Sequence, residues 1–286
     1  MPRTVPPSAR RLTAAPDRGS LDALGAPGCA GGGGCASLAL VPTPVAWVHA
    51  FVDVPARQVG ATRAFWSAVT GWPPGGAWPG HPEFTSLTPP TGTPYLHVQT
   101  TEGAPRVHLD LLGDLDVDPA RLERLGAVRG HPGDGWQVMT SPAGLPFCVC
   151  AESSPHQRPA ATTWPGGHRS RLVQLCVDVP AERYDTELEF WRSATGWADE
   201  PVDDPEFSRL VHRAESALQL LVQRLGDDDG APRARAHLDL GTDDLAAEVA
   251  RVQALGARVL WPGNGFIALE DPVGLPFCVT ANDPDR

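Results

Sequence analysis

In "WVHAFVDV" (47–54), Val48, Ala50, Val52 and Val54 alternate with Trp47, His49, Phe51 and Asp53. A period of two predicts a half-buried strand. The pattern returns at 172–179, where Val173, Leu175, Val177 and Val179 alternate with Leu172, Gln174, Cys176 and Asp178. Each stretch leads into helical spacing: Phe65, Trp66 and Val69 in one case, Tyr184, Leu188 and Trp191 in the other. Gly71 and Gly196 follow, as the residues that close these helices in a left-handed conformation. Strands are then expected near 83–88 and 94–100, and near 206–212 and 217–224. After "HLDL" a second helix is predicted, clearest in Leu245, Val249, Val252 and Leu255 before Gly256. Short strands close each half. The order strand, helix, three strands occurs twice in each half, which makes two βαβββ units per half and an α+β architecture.

The halves are copies of one another. "FVDVPARQVGATRAFWSAVTGW" (51–72) aligns without gaps with "CVDVPAERYDTELEFWRSATGW" (176–197). "HPEF" (81–84) then matches "DPEF" (204–207), "VHLDL" (107–111) matches "AHLDL" (236–240), and "SPAGLPFCVC" (141–150) matches "DPVGLPFCVT" (271–280). Matches in one order, separated by loops of different length, mean a duplicated fold. The expected organisation is a disordered Pro/Gly/Ala/Arg-rich tail at 1–44, a domain at 45–151, a linker at 152–169, a domain at 170–281 and a short tail at 282–286.

Composition narrows the partners. The chain has 286 residues, enough for two cores, and a formal charge of −11 with 23 basic residues, all of them Arg. An acidic balance argues against nucleic acid. No apolar run approaches the ~18 residues that cross a bilayer. Six cysteines fit no dense disulfide framework. The expectation is a cytoplasmic protein without membrane or nucleic-acid partners and without a nucleotide cofactor.

Alternation also says which side chains share a face. Val107, Leu109 and Leu111 leave His108 and Asp110 opposite; Leu145, Phe147 and Val149 leave Pro146, Cys148 and Cys150; Leu96 and Val98 leave Tyr95, His97 and Gln99. If these faces line one curved sheet, the first half gathers His49, His97, Gln99, His108 and Cys148, and the second gathers Gln174, Gln223, His237 and Cys278. A hollow with converging polar groups is the expected ligand site. Asp53 and Asp178 read as caps of the first helix or its entry turn. Asp110 and Asp239 read either as acceptors orienting the neighbouring histidine or as turn-binding groups. Trp66, Trp72, Trp191 and Trp197 read as core. Cys148, in "LPFCV", lacks the basic setting of a reactive thiol.

The ordered set "FW…TGW", "HLDL" and "P.GLPFC" resembles the glyoxalase, bleomycin-resistance and extradiol dioxygenase superfamily, the vicinal oxygen chelate fold, over both halves but not the tail. The resemblance implies tandem domains, each a cup of paired βαβββ units. It implies a divalent metal (zinc, nickel, manganese or iron) held from the first strand, the strand opening the second unit and the last strand. Carried over, these places fall on His49 or Gln174, on His108 or His237, and on Cys148 or Cys278, with His49, His108 and His237 as the metal-ligand candidates. The thiol departs from the superfamily's carboxylate; with imidazole it suits zinc better than an iron oxygenase. The implied activities are a lyase or isomerase acting on a small molecule, or metal-free sequestration of the bleomycin-resistance type. A regulatory protein with one inactive copy is a third reading. A monomer whose domains pack as a pseudo-dimer is expected. Whether the first unit closes its cup with the second or with the fourth stays open, so His49 faces either His108 or His237.

Overall fold

The alternating stretch at 47–54 forms a strand, Val48–Pro55 (β1), in a computed structural model that describes residues 45–151, 155–211 and 216–285. The expected tail at 1–44 lies outside the described residues. Helix Val59–Thr70 (α1) follows, then Pro74–Trp78 (β2), His81–Leu87 (β3) and Leu96–Thr101 (β4). The second unit repeats the order with Arg106–Gly113 (β5), Asp118–Arg124 (α2), Val128–Pro132 (β6), Trp136–Thr140 (β7) and Pro146–Ala151 (β8). A short strand, Thr162–Thr163 (β9), precedes the second half. There the series is Arg169–Val179 (β10), Tyr184–Thr195 (α3), Ala198–Glu200 (β11), Phe207–Val211 (β12) and Gln219–Arg224 (β13). Arg235–Thr242 (β14), Leu245–Ala254 (α4), Arg258–Pro262 (β15), Phe266–Glu270 (β16) and Pro276–Thr280 (β17) complete it.

Each half is one sheet. The first runs β2-β3-β4-β1-β5-β8-β7-β6 and the second β11-β12-β13-β10-β14-β17-β16-β15, with β9 added beside β10. The two units of a half meet edge to edge through the antiparallel pairs β1–β5 and β10–β14. Units therefore pair within a half, and His49 has His108, not His237, on the neighbouring strand.

Val48, Ala50, Val52, Val54, Val107, Leu109 and Leu111 are buried in the core. The helix closures follow the sequence: Gly71 has φ 74°, and its N–H bonds the Ser67 carbonyl at 2.8 Å. A side chain there would be strained. β2 was not located by alternation, because "PGGAW" is Gly-rich and largely exposed.

The halves exchange contacts through their first helices. Phe65 and Trp66 of α1 set their rings against Phe277 of β17, while Phe190 and Trp191 of α3 set theirs against Phe147 of β8. Arg251 on α4 donates to the Ala68 and Val69 carbonyls at the end of α1. Arg121 on α2 donates to those of Ser193 and Ala194 at the end of α3. Cations are favoured at helix C-termini, so each pair ties one half to the other.

Within the expected linker, Thr162 bonds the Thr70 carbonyl and Trp164 bonds Ser170. Near the C-terminus, Arg171 and Arg158 donate to the Pro284 and Asp285 carbonyls. Among the described residues no helix is long and apolar enough to cross a membrane.

Candidate functional site

Strand register brings the polar faces together. Across β4, β1, β5 and β8 of the first half, His97 is opposite Phe51 and Phe51 opposite His108; His49 is opposite Asp110 and Asp110 opposite Cys148. These side chains share one face because opposed residues in paired strands point the same way.

The face holds two polar networks separated by a ring. In the first, His97 Nδ1 lies 2.9 Å from Ser86 Oγ, and His97 Nε2 lies 2.8 Å from His49 Nδ1. Burial lowers the His49 pKa to about 4, against the pull of Asp110, and holds His97 well below the ordinary range. Both are neutral at pH 7. In the second network, Arg106 Nε donates to Asp53 Oδ2 at 2.7 Å, and the same oxygen lies 3.0 Å from His108 Nδ1. His108 Nε2 lies 3.4 Å from Asp110 Oδ1, and Cys150 donates to Asp110 Oδ2 at 3.2 Å. The His108 contacts are ion pairs off hydrogen-bond alignment, so His108 Nδ1, Asp53 Oδ1 and Asp110 Oδ1 keep bonding capacity. Burial alone would lower the His108 pKa; Asp53 and Asp110 outweigh it and hold the ring protonated. Burial pushes the Cys148 thiol up to about 11, so it is protonated at neutral pH. The Phe51 ring lies between the networks, 4.7 Å from His97 and stacked 4.9 Å from His108.

The second cup repeats part of this. Asp178 Oδ1 lies 3.1 Å from His237 Nδ1, Arg235 Nε donates to Asp178 Oδ2 at 3.3 Å, and His237 Nε2 lies 3.3 Å from Asp239 Oδ1 and 3.7 Å from Cys278 Sγ. Gln174 Nε2 donates to Asp239 Oδ2 at 2.6 Å. The histidine pair is absent: Gln174 stands where His49 does, and Leu221 is opposite Cys176 as His97 is opposite Phe51. Aromatic lining is also uneven. Phe51, Trp78, Phe84 and Trp136 form a chain of edge and tilted ring contacts in the first half.

Two expectations need correction. Asp53 and Asp178 do not cap the helices: Gln58 and Arg183 occupy the N-cap positions of α1 and α3, neither with a side-chain cap. Instead they stand behind His108 and His237. Their place was visible in the alternation, since Asp53 shares the parity of His49 and Phe51. Tyr95 precedes β4 and turns into the core, where its hydroxyl bonds the Leu172 carbonyl. Gln99 and Gln223 lie in register with Asp53 and Asp178 but are half-buried, at the more open end of the cups. Alternation alone did not reveal three further contributors: Arg106 and Arg235 had a signal in the repeated "R.HLDL", while Ser86 had none, because only its pairing with β4 brings it to His97.

A divalent ion suits this donor set. His108, Asp110 and Cys148 each offer one atom, all within 4.8 Å of one another. His49 is outside that group. His108 turns one nitrogen toward Asp110 and the other toward Asp53, the arrangement in which a carboxylate fixes a metal-binding imidazole from behind. Charge agrees as well. Arg106 and His108 balance Asp53 and Asp110, and a dication replacing the protons of His108 and Cys148 keeps the balance.

A sequence profile described as "Glyoxalase-like domain" matches residues 49–150 and again 174–280. No curated protein matches the chain. Among solved structures, the Mn(II)-bound glyoxalase from Novosphingobium aromaticivorans superposes with a TM-score of 0.61 at 17% identity, over 85% of each chain. A mutant of homoprotocatechuate 2,3-dioxygenase from Brevibacterium fuscum gives 0.56 at 15% identity, over 86% of this chain and 74% of the other. The 2,2',3-trihydroxybiphenyl 1,2-dioxygenase from Sphingomonas wittichii gives 0.53 at 14% identity, over 83% and 90%. At these identities the likeness is one of fold.

Proposed function

The chain belongs to the glyoxalase-like domain family, with one copy in each half, and from that premise we propose that its first cup binds a small molecule beside a divalent metal ion, as a lyase or isomerase. The observation that carries the reading is the convergence of His108, Asp110 and Cys148, backed by Asp53, next to the neutral pair His49 and His97. A bound ion would supply Lewis acidity to a ligand oxygen. The chain's own part is to hold and move a proton. His49, kept uncharged by burial, can accept one as a weak base, while His97 holds its Nδ1 and is itself held at the far end by Ser86. Thiolate with imidazole favours zinc over manganese, although the glyoxalase neighbour is Mn(II)-bound.

A metal-free binding protein is the competing reading. It draws on the self-neutralised floor and on the ring chain from Phe51 to Trp136, which suits a planar or cationic ligand. Elemental analysis of purified protein separates the two. The metal reading expects a bound ion that His108→Ala and Cys148→Ala lose from the first cup and His49→Ala retains. Metal content identical in wild type and both ligand variants, with ligands still raising the melting temperature, would leave the sequestering reading.

A further inference from the structure

The cups differ at one position that bears on metal chemistry. Phe51, in register with His108, covers that imidazole; its counterpart in register with His237 is Cys176. Cys176 is fully buried, yet the core cluster takes in its neighbours Leu175 and Val177 and not Cys176 itself. Its thiol is on the cup side, with Sγ 3.7 Å from Asp178 Oδ1. His237 Nδ1 approaches the same oxygen at 3.1 Å, while Arg235 takes the other oxygen, Oδ2. Oδ1 is thus left to the imidazole and the thiol. One sulfur, one nitrogen and one oxygen lie within 4.8 Å of one another. On the opposite edge of the ring, Nε2 is turned to Asp239, whose second oxygen is held by the Gln174 amide.

We propose that Cys176, Asp178 and His237 Nδ1 form a site for a thiophilic d10 ion of the zinc or cadmium class in the second cup. Sulfur and imidazole are the donors such ions prefer, and tetrahedral sites accept a carboxylate beside them. Asp239, itself fixed by Gln174, holds the far side of the ring and orients it, as outer carboxylates do for metal-bound histidines. The first cup has no equivalent, because a phenyl ring offers no donor. The rival set is Cys278 with Asp239, on the Nε2 edge of the same histidine.

Cadmium titration of the full chain under reducing conditions tests the site, reading the thiolate-to-cadmium ultraviolet charge-transfer band and counting bound metal by mass spectrometry. Cys148→Ala and Cys278→Ala are expected to keep a band-bearing equivalent that Cys176→Ala weakens by at least about ten-fold. Asp178→Asn, which preserves side-chain shape, is expected to weaken it likewise and decides the matter if Cys176→Ala disturbs folding, as circular dichroism would reveal. Retention in Cys176→Ala with loss in Cys278→Ala would move the ion to the other edge and overturn the proposal. So would a wild-type chain with no band. A sole equivalent abolished by Cys148→Ala would overturn this site while sustaining the metal reading of the first cup.

Discussion

At the scale of single residues, three histidines on one face have opposite electrostatic fates. His108 has a carboxylate at each ring nitrogen and stays charged, whereas His49 and His97 bond each other and Ser86, and burial outweighs the pull of Asp110 on His49. The His49 pKa falls from 6.5 to about 4, so the unfolded chain takes up a proton in that interval more readily than the folded one. Stability is therefore unaffected by this group above pH 6.5 and is lost as pH falls toward 4. At ~1.4 kcal/mol per unit the loss is at most about 3.5 kcal/mol, less where water reaches the half-buried ring. His49→Gln, which installs the residue of the second half, is expected to flatten the denaturation midpoint between these pH values. An unchanged slope in that variant would assign the acid sensitivity elsewhere.

At the scale of elements, the arginine ties between the halves look alike but are not worth the same. Arg251 grips Glu248 with two hydrogen bonds of 2.7 Å while capping α1, and Glu248 has no exposed side-chain surface. Arg121 pairs with Asp118, whose side chain is 22% exposed. Removing Arg251 strips a buried carboxylate of its cation, leaving it only His168 and Ser170. Removing Arg121 leaves a carboxylate that water can reach. Arg251→Ala is expected to cost ~3 kcal/mol and Arg121→Ala ~1 kcal/mol. Urea unfolding of the two variants checks the order, and equal losses would mean that both act only through the helix ends.

At the scale of the whole molecule, the sheets close within each half but their helices pack across, so neither half covers its own apolar surface. A chain limited to residues 45–151 would expose Phe65, Trp66 and Phe147, all buried in the full protein. It is expected to self-associate or lose cooperative unfolding, measurable by sedimentation and thermal circular dichroism; a monomeric, cooperatively folding half would refute this. The same distinction between local and crossing contacts divides what could be read from the chain. Alternation at 47–54 and 172–179, helical spacing before Gly71 and Gly196, and the doubled "HLDL" and "GLPFC" phrases determined the central strands, the first helix of each half, the duplication and the shared parity of His49, Phe51 and Asp53. Backbone geometry makes strand and helix periods local properties, legible one segment at a time. The partner of β1, the choice of Asp110 rather than His49 beside His108 and Cys148, the recruitment of Asp53 away from a cap, and the helix exchange between halves were decided only by tertiary structure. Four similar units offer nearly equivalent pairings, and register across strands far apart in sequence is set by collective packing that no single segment encodes.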